Sequence, residues 1–341
     1  MPNISPAWVT LNPSYMMPEL LLPYSQASGA FELLASGDLM VRLADGDLVV
    51  YIKRVDIRTR VAAGTAAYNQ LPSVGTTFSQ ISTPTYLMRV RAEYDHHDTA
   101  AVGRWGASIV EMQRLGMRQG HFNLTRGALL YGFNPANGEG LLYASGATST
   151  SLPPDTFNNT TVVTYDNGQM AFFLLSQLSA LKTRTNQLGI PHRFVFLAPQ
   201  RIFAQMEYQN IVQLTSYQRE GAGTVPTAAV VKDVARMNGD EIIWVYDDTL
   251  IGKGANGNDA VMICMPEVEK PEADNHINTN EFAKLAPGLE ACTIMLSDMS
   301  APREIPTPLA GGAIDVLSEW RITPGWLLRA EALTIVSMQY Q

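Results

Sequence analysis

The sequence predicts an α+β chain, and three observations carry that prediction. Two runs alternate with the period of a strand, at Val50 to Val61 and Tyr86 to Tyr94. Two longer stretches, from about Asp98 to Tyr131 and from Asp166 to Leu188, repeat apolar residues at helical spacing. Shorter strand-like and helix-like segments then mix up to the end, so strands and helices are neither separated into two blocks nor strictly alternated.

Composition bounds the rest. A chain of 341 residues buries about three quarters of its unfolded surface, and one to three domains are expected. Hydrophobic residues make up 46% and charged residues 16%, below the roughly 25% charged share of soluble domains. Something therefore covers much of the surface. No apolar run reaches the roughly 18 residues that span a bilayer, so the expected cover is other protein and not membrane. The formal net charge of -8 argues against a dedicated nucleic-acid reader, and does not exclude a container whose wall repels DNA. Cys264 and Cys292 are the only cysteines and lack CxxC spacing, so they read as buried structural thiols. No basic segment followed by an apolar run opens the chain, which gives the expectation of a protein made and used in a cytoplasm.

Each element follows from local chemistry. Prolines at 2, 6, 13, 18 and 23 keep residues 1 to 30 extended or irregular. Trp8, Leu11, Tyr15, Leu20, Leu21 and Leu22 make this arm too apolar for a free tail. It lies either on its own domain or on a neighbour. In the first alternating run Val55, Ile57, Thr59 and Val61 oppose Arg54, Asp56, Arg58 and Arg60. In the second, Met88, Val90, Ala92 and Tyr94 oppose Arg89, Arg91 and Glu93. The two are expected to pair as a hairpin, with the Gly-, Ser- and Thr-rich stretch 62 to 83 as its tip. A lone hairpin is marginal in water and needs a further surface. Its arginine face meets either carboxylates of a neighbour or solvent.

Val102, Trp105, Ile109 and Met112 predict a helix capped by Asp98 or Thr99. Gly116 and Gly120 are expected to break or bend it before a second piece ending at Tyr131. A turn-rich link then leads to Gly140-Leu141-Leu142. Further along, Asp166 or Asn167 caps a helix striped by Met170, Phe173, Leu174, Leu178 and Leu181. His192 to Leu197 reads as a buried strand, and Pro199 starts a helix carrying Ile202, Phe203 and Met206. Pro226 to Met237 is a helix, and Glu241 to Tyr246 and Ala260 to Met265 are strands about a glycine-rich turn. Gly312 to Thr323 and Trp326 to Val336 are expected to form a closing strand pair hinged at Pro324-Gly325.

This order resembles the major capsid proteins of tailed bacteriophages, which share the Hong Kong 97-type or Johnson fold. Tyr131-Gly132 matches the end of that family's spine helix, and Gly138 to Leu142 its glycine-rich turn and Gly-Leu-Leu step. The strand, proline and helix around Pro199 look like the start of its axial domain. The resemblance implies an N-terminal arm at 1–45, an extended loop at 46–95, a peripheral domain with spine helix at 96–190 and 306–341, and an inserted axial domain at 191–305. It implies a structural protein without cofactor, assembling in a host bacterial cytoplasm into pentamers and hexamers of an icosahedral head. Scaffolding, portal and decoration proteins would be its partners, with packaged double-stranded DNA held without sequence-specific contacts. Trp8, Tyr15, Arg54, Arg58, Arg60, Arg89 and Arg91 are the candidate intersubunit contacts. The alternatives are an encapsulin-type nanocompartment shell and a cytoplasmic α+β enzyme or carbohydrate-binding module.

Few residue sets suggest chemistry. Asp95, His96, His97 and Asp98 are metal-ligand types, but neighbours along a strand point to opposite faces. Gly252, Lys253, Gly254 and Gly257 lack phosphate-loop spacing and precede a strand. Ala144-Ser145-Gly146 lacks the first glycine of a nucleophile elbow. Asp247 and Asp248 follow a strand, where a solvated turn is the plainer reading than an acid/base pair. No catalytic, cofactor or metal residue is assigned.

Overall fold

The computed structural model describes residues 42–58, 75–103, 108–185, 187–208, 210–212, 224–268, 293–299, 302–309 and 312–341. Trp8, Tyr15, Arg60, Trp105 and Cys292, with the arm and the tip of the extended loop, lie outside them.

A two-stranded ribbon comes first. Strand β1 (Val49–Arg58) pairs antiparallel with β2 (Gly75–Pro84), in register from Val49 opposite Pro84 to Arg58 opposite Gly75. The expected pairing of 50–61 with 86–94 is therefore corrected. The true partner lies in the stretch read as a loose tip, where Thr76, Thr77, Phe78, Ile81 and Thr83 are strand formers despite their turn-like company. Pro84 has no N–H and ends the ladder. After Thr85 the chain enters β3 (Tyr86–Tyr94), which belongs to another sheet.

Two helices follow. Helix α1 (His96–Gly103) is capped by Asp95 instead of Asp98 or Thr99. Asp95 Oδ1 accepts from the Asp98 N–H at 2.7 Å, and Asp98 Oδ2 accepts from the Asp95 N–H at 3.3 Å, a reciprocal box. Helix α2 (Ile109–Tyr131) is a separate element capped by the Ser108 hydroxyl, which accepts from the Glu111 N–H. It runs unbroken through Gly116 and Gly120, contrary to the expected break. A Cβ at either glycine would meet nothing, so each is only a propensity penalty of about 1 kcal/mol, and packing on the sheet below outweighs it.

After the turn and Gly-Leu-Leu step come β4 (Thr148–Ser151), α3 (Asn167–Thr185), β5 (Arg193–Ala198) and α4 (Gln200–Tyr208). Next are the short pair β6 (Asn210–Val212) and β7 (Thr224–Pro226), then α5 (Thr227–Met237), β8 (Glu241–Tyr246) and β9 (Asp259–Cys264). The chain closes with β10 (Ile294–Met295), β11 (Arg303–Pro308), β12 (Ile314–Ile322), β13 (Trp326–Leu327) and β14 (Leu333–Met338).

Two sheets organise the body. One has the antiparallel order β11-β12-β3; the other, mixed, has the order β4-β14-β9-β5-β8. The expected closing strand pair is thus also corrected. Strand β12 sits in the middle of the first sheet and β14 inside the second, because the turn at Pro324-Gly325 carries the chain between sheets. All residues of β9 and β14, and all of β5 but Arg193, are buried. Met170, Leu174, Leu178 and Leu181 of α3, with Ile202, Phe203 and Met206 of α4, cover one side. Leu129 and Leu130 of α2, with Leu141 and Leu142, cover the other. Asp166 Oδ1 accepts from the Gln169 N–H at 2.8 Å, the expected cap of α3. Strands from 148–151 and 333–338 share the second sheet with those from 193–264, so boundaries at 190 and 305 would cut across one hydrogen-bonded sheet.

Candidate assembly surface

The ribbon has two unlike faces. On one, Val50 and Ile52 pair with Thr83 and Ile81 and pack at the root on Leu43, Trp326, Met299 and Leu328. On the other, the register aligns Val49 with Pro84, Tyr51 with Ser82 and Lys53 with Gln80, with Phe78 further along β2. Tyr51 is 61% and Phe78 78% exposed, with the exposed Lys53 and Gln80 between them. Two large aromatic side chains thus stand uncovered on this face, and a two-stranded ribbon alone is marginally stable in water. The sequence reading missed Phe78. The available signal was the run of Thr and Ile around Phe78, which marks a strand.

The backbones of Arg54 and Arg58 lie in β1, while their side chains fall outside the described residues. Arg89 and Arg91 stand on the outer face of the three-stranded sheet and find carboxylates in their own chain. Arg89 Nε donates to Glu319 at 2.7 Å, and Arg91 reaches Asp315 at 2.8 Å and Glu93 at 3.2 Å. The Arg91 guanidinium is held more firmly protonated by its hydrogen bond to Asp315 and that group's charge. Arg114 with Glu304 and Arg303 with Asp45 extend this lattice. Pairs with so exposed a guanidinium are screened by water and add little to stability.

A buried clasp ties the ribbon's exit to the end of α2. Glu139 accepts from the Tyr86 hydroxyl at 2.8 Å and from the N–H groups of Phe133 and Asn134 at 3.2 and 2.8 Å. Burial, then the bond to Glu139 and its charge, push the Tyr86 phenol up to about 12. Behind it three glycines meet. A Cβ on Gly325 would lie 2.3 Å from the Leu129 carbonyl oxygen, one on Gly140 2.3 Å from the Tyr131 carbonyl carbon, and one on Gly132 2.6 Å from Glu139. Their amides close the joint: Gly132 and Gly325 N–H donate to the Ala128 carbonyl at 3.1 and 2.8 Å, and Gly140 N–H to the Gly325 carbonyl at 3.0 Å. The motif Tyr131-Gly132 to Leu142 is thus a place where backbone packs on backbone.

The residue sets singled out for chemistry have local partners. Asp247 Oδ1 accepts from the Thr249 N–H and hydroxyl at 3.0 and 2.6 Å, and Asp248 accepts from the Gln200 N–H at 2.8 Å at the start of α4. His96 and His97 stack with centroids 3.9 Å apart. The glycine-rich turn donates the Gly252 N–H to Asp259, which also takes Arg201 in two bonds. An open groove of about 430 Å³ beside α4 is lined by Arg201, Tyr208, Asp248, Ile251 and Tyr340, and no histidine lines it. Cys264 is buried in the second sheet, and burial raises its thiol pKa. Among the described residues no three His, Cys, Asp or Glu gather to hold a metal ion, and no helix is long and apolar enough to cross a membrane.

Comparison with solved structures places the whole chain. The capsid of Myoviridae phage XM1 superposes with a TM-score of 0.64 at 7% identity, covering 95% of this chain and 96% of that one. The fold is that of phage capsid subunits. The capsid of cyanophage P-SCSP1u matches at TM-score 0.58 and 11% identity over 95% of this chain and 92% of the other. The capsid of an empty GTA particle matches at 0.57 and 10% over 96% and 95%. No protein-family model and no curated protein matches the sequence.

Proposed function

We propose that this chain is a major capsid subunit, whose copies assemble as pentamers and hexamers into an icosahedral head around double-stranded DNA. The observation that carries the reading is the ribbon of a capsid fold with Val49, Tyr51 and Phe78 uncovered on one face. A neighbouring copy that covers them gains apolar burial at about 25 cal/mol per Å², which a free subunit forgoes. The arm carrying Trp8 and Tyr15 and the arginines of the ribbon are proposed as further contacts. We place the peripheral unit in β3, α2, β11 and β12, and the axial unit in the five-stranded sheet with α3, α4 and α5. The joints at Gly140 and Gly325 then separate them, in place of cuts at 190 and 305. Scaffolding, portal and decoration proteins are the partners such a head uses in the host cytoplasm.

Expression with and without the neighbouring genes, followed by light scattering and negative-stain microscopy, tests the reading. Closed shells or five- and six-fold rings are expected, with nuclease-protected DNA in shells from infected cells. Shells filled with a cargo enzyme would make the protein a nanocompartment. A monomer or small dimer under every condition would end the shell reading.

A further inference from the structure

A second uncovered aromatic pair stands at one edge of the five-stranded sheet. Phe157, in the loop between β4 and α3, is 78% exposed, and Phe172 on α3 is 75% exposed. The loop is held firmly from within. Buried Asp155 accepts from the N–H groups of Phe157 and Asn159 at 2.8 and 2.7 Å, from the Asn159 side chain at 3.0 Å and from the Asp166 N–H at 3.1 Å. Thr156 and Gln169 exchange two hydrogen bonds, at 3.2 and 2.7 Å, which fix Phe157 beside the first turn of α3. Phe172 follows Gln169 by three residues and shares its helix face. Two phenyl groups thus project from one corner, on the β4 side of the sheet.

The open groove lies past the ends of β5 and β8, and its lining includes neither phenylalanine. Tyr208, Ile251, Tyr340 and the Arg201 guanidinium form its walls. Its charges are already spent, because Arg201 gives two bonds to Asp259 and Asp248 accepts from the Gln200 N–H. A neutral occupant suits such a site better than a phosphate or a carboxylate. Arg201 stacks on Tyr340 at 4.9 Å, and 39% of its side chain stays exposed. A guanidinium with one face on a ring attracts a second ring to its open side.

We propose that the Phe157–Phe172 corner of one copy of this chain seats in the groove beside α4 of a second copy. The proposal rests on the shell reading and deepens it by naming both halves of one contact. Area sets the kind of assembly. Two phenyl groups and their seat bury about 500–700 Å², below the roughly 1,200 Å² at which a pair becomes stable. A single contact is therefore too small to hold a dimer. Corner and groove are different surfaces, so the contact is head-to-tail and repeats from copy to copy until a ring closes, in which every copy uses both halves.

The test compares wild type with F157S/F172S, with Y208S/I251S, and with F157C/Y208C oxidised after assembly. Circular dichroism follows folding, which changes at these exposed positions are expected to leave intact. Each serine pair should need at least about tenfold more protein to form shells or rings. The double-cysteine chain should give, on non-reducing gels, a ladder of covalent multimers that stops at ring size, and F157C or Y208C alone should give no ladder. Serine pairs that assemble at the wild-type concentration, or double-cysteine shells without a ladder, would overturn the proposal and leave the shell reading intact. A dimer band without higher steps would also overturn it, by making the contact two-fold. So would F157S/F172S shells that form normally but lose a separately encoded surface protein, which would give the corner to that partner. If a serine pair fails to fold, F157S and Y208S alone, with the ladder, decide. Wild type that never forms shells or rings would remove both readings.

Discussion

The ribbon and the glycine joint sit at opposite extremes of self-sufficiency. In the joint, backbone fills the space that side chains would need, and each amide has an acceptor. In the ribbon, one face is packed only at its root while Tyr51 and Phe78 stand in solvent. The first region spends its interactions inside the chain, and the second leaves aromatic side chains uncovered. Stability and assembly should therefore separate cleanly under mutation.

The largest effect is expected at the joint. G325A and G140A each force a Cβ into backbone at 2.3 Å, and the second also places a side chain at φ +81°. Each should remove more than about 4 kcal/mol, read by denaturant unfolding or as loss of soluble protein. A stable G325A subunit would break the comparison from this side. Next comes the ribbon. Y51S with F78S should leave subunit stability within about 0.5 kcal/mol yet abolish shells at concentrations where wild type forms them. A matching fall in unfolding stability would show that these side chains belong to the fold.

Smaller effects sharpen the boundary. The Tyr86 phenol, raised to about 12 from 10.0, gives stability that is full below pH 10 and lost as pH rises towards 12. Y86F should flatten that alkaline limb, and E139Q should bring the phenol back towards 10. His121 stacks on Trp320 with centroids 3.4 Å apart, and burial lowers its pKa. Its contribution is therefore present above pH 6.5 and declines as pH falls below it, and H121F should remove that part of the acid dependence. R89Q should change stability by no more than about 1 kcal/mol, because the Arg89 side chain is 61% exposed and its pairing with Glu319 is screened by water.

Much of this division was legible in the residues. Periodicity placed α3, α4, α5, β5, β8 and β9 within a few positions, because each buries one regular face or lies wholly in the core. The glycine motif after Tyr131 was legible as a pattern, but its cause required Gly325, almost two hundred residues away. Pairing was not legible. Strand β2 looked like a loop because Ser, Thr and Gly serve turns and edge strands alike, and β12 and β14 looked like a hairpin because chain order does not encode sheet membership. Arg89 and Arg91 read as candidates for a neighbour, since nothing local to them reveals Asp315 and Glu319 across the sheet. Their part in assembly is a matter for the charge variants, as is that of Arg54, Arg58 and Arg60.

The glycine joint also bears on inheritance. Solved capsids of this fold share as little as 7% of their residues with this chain, so almost every side chain can be exchanged while the architecture is kept. Side-chain contacts can drift because a change on one side is answered by a change on the other. Where Gly132, Gly140 and Gly325 meet, no such answer exists, because the space is held by main chain that every residue type shares. In lineages too distant for their sequences to be aligned, those three positions are where ancestry should still be written.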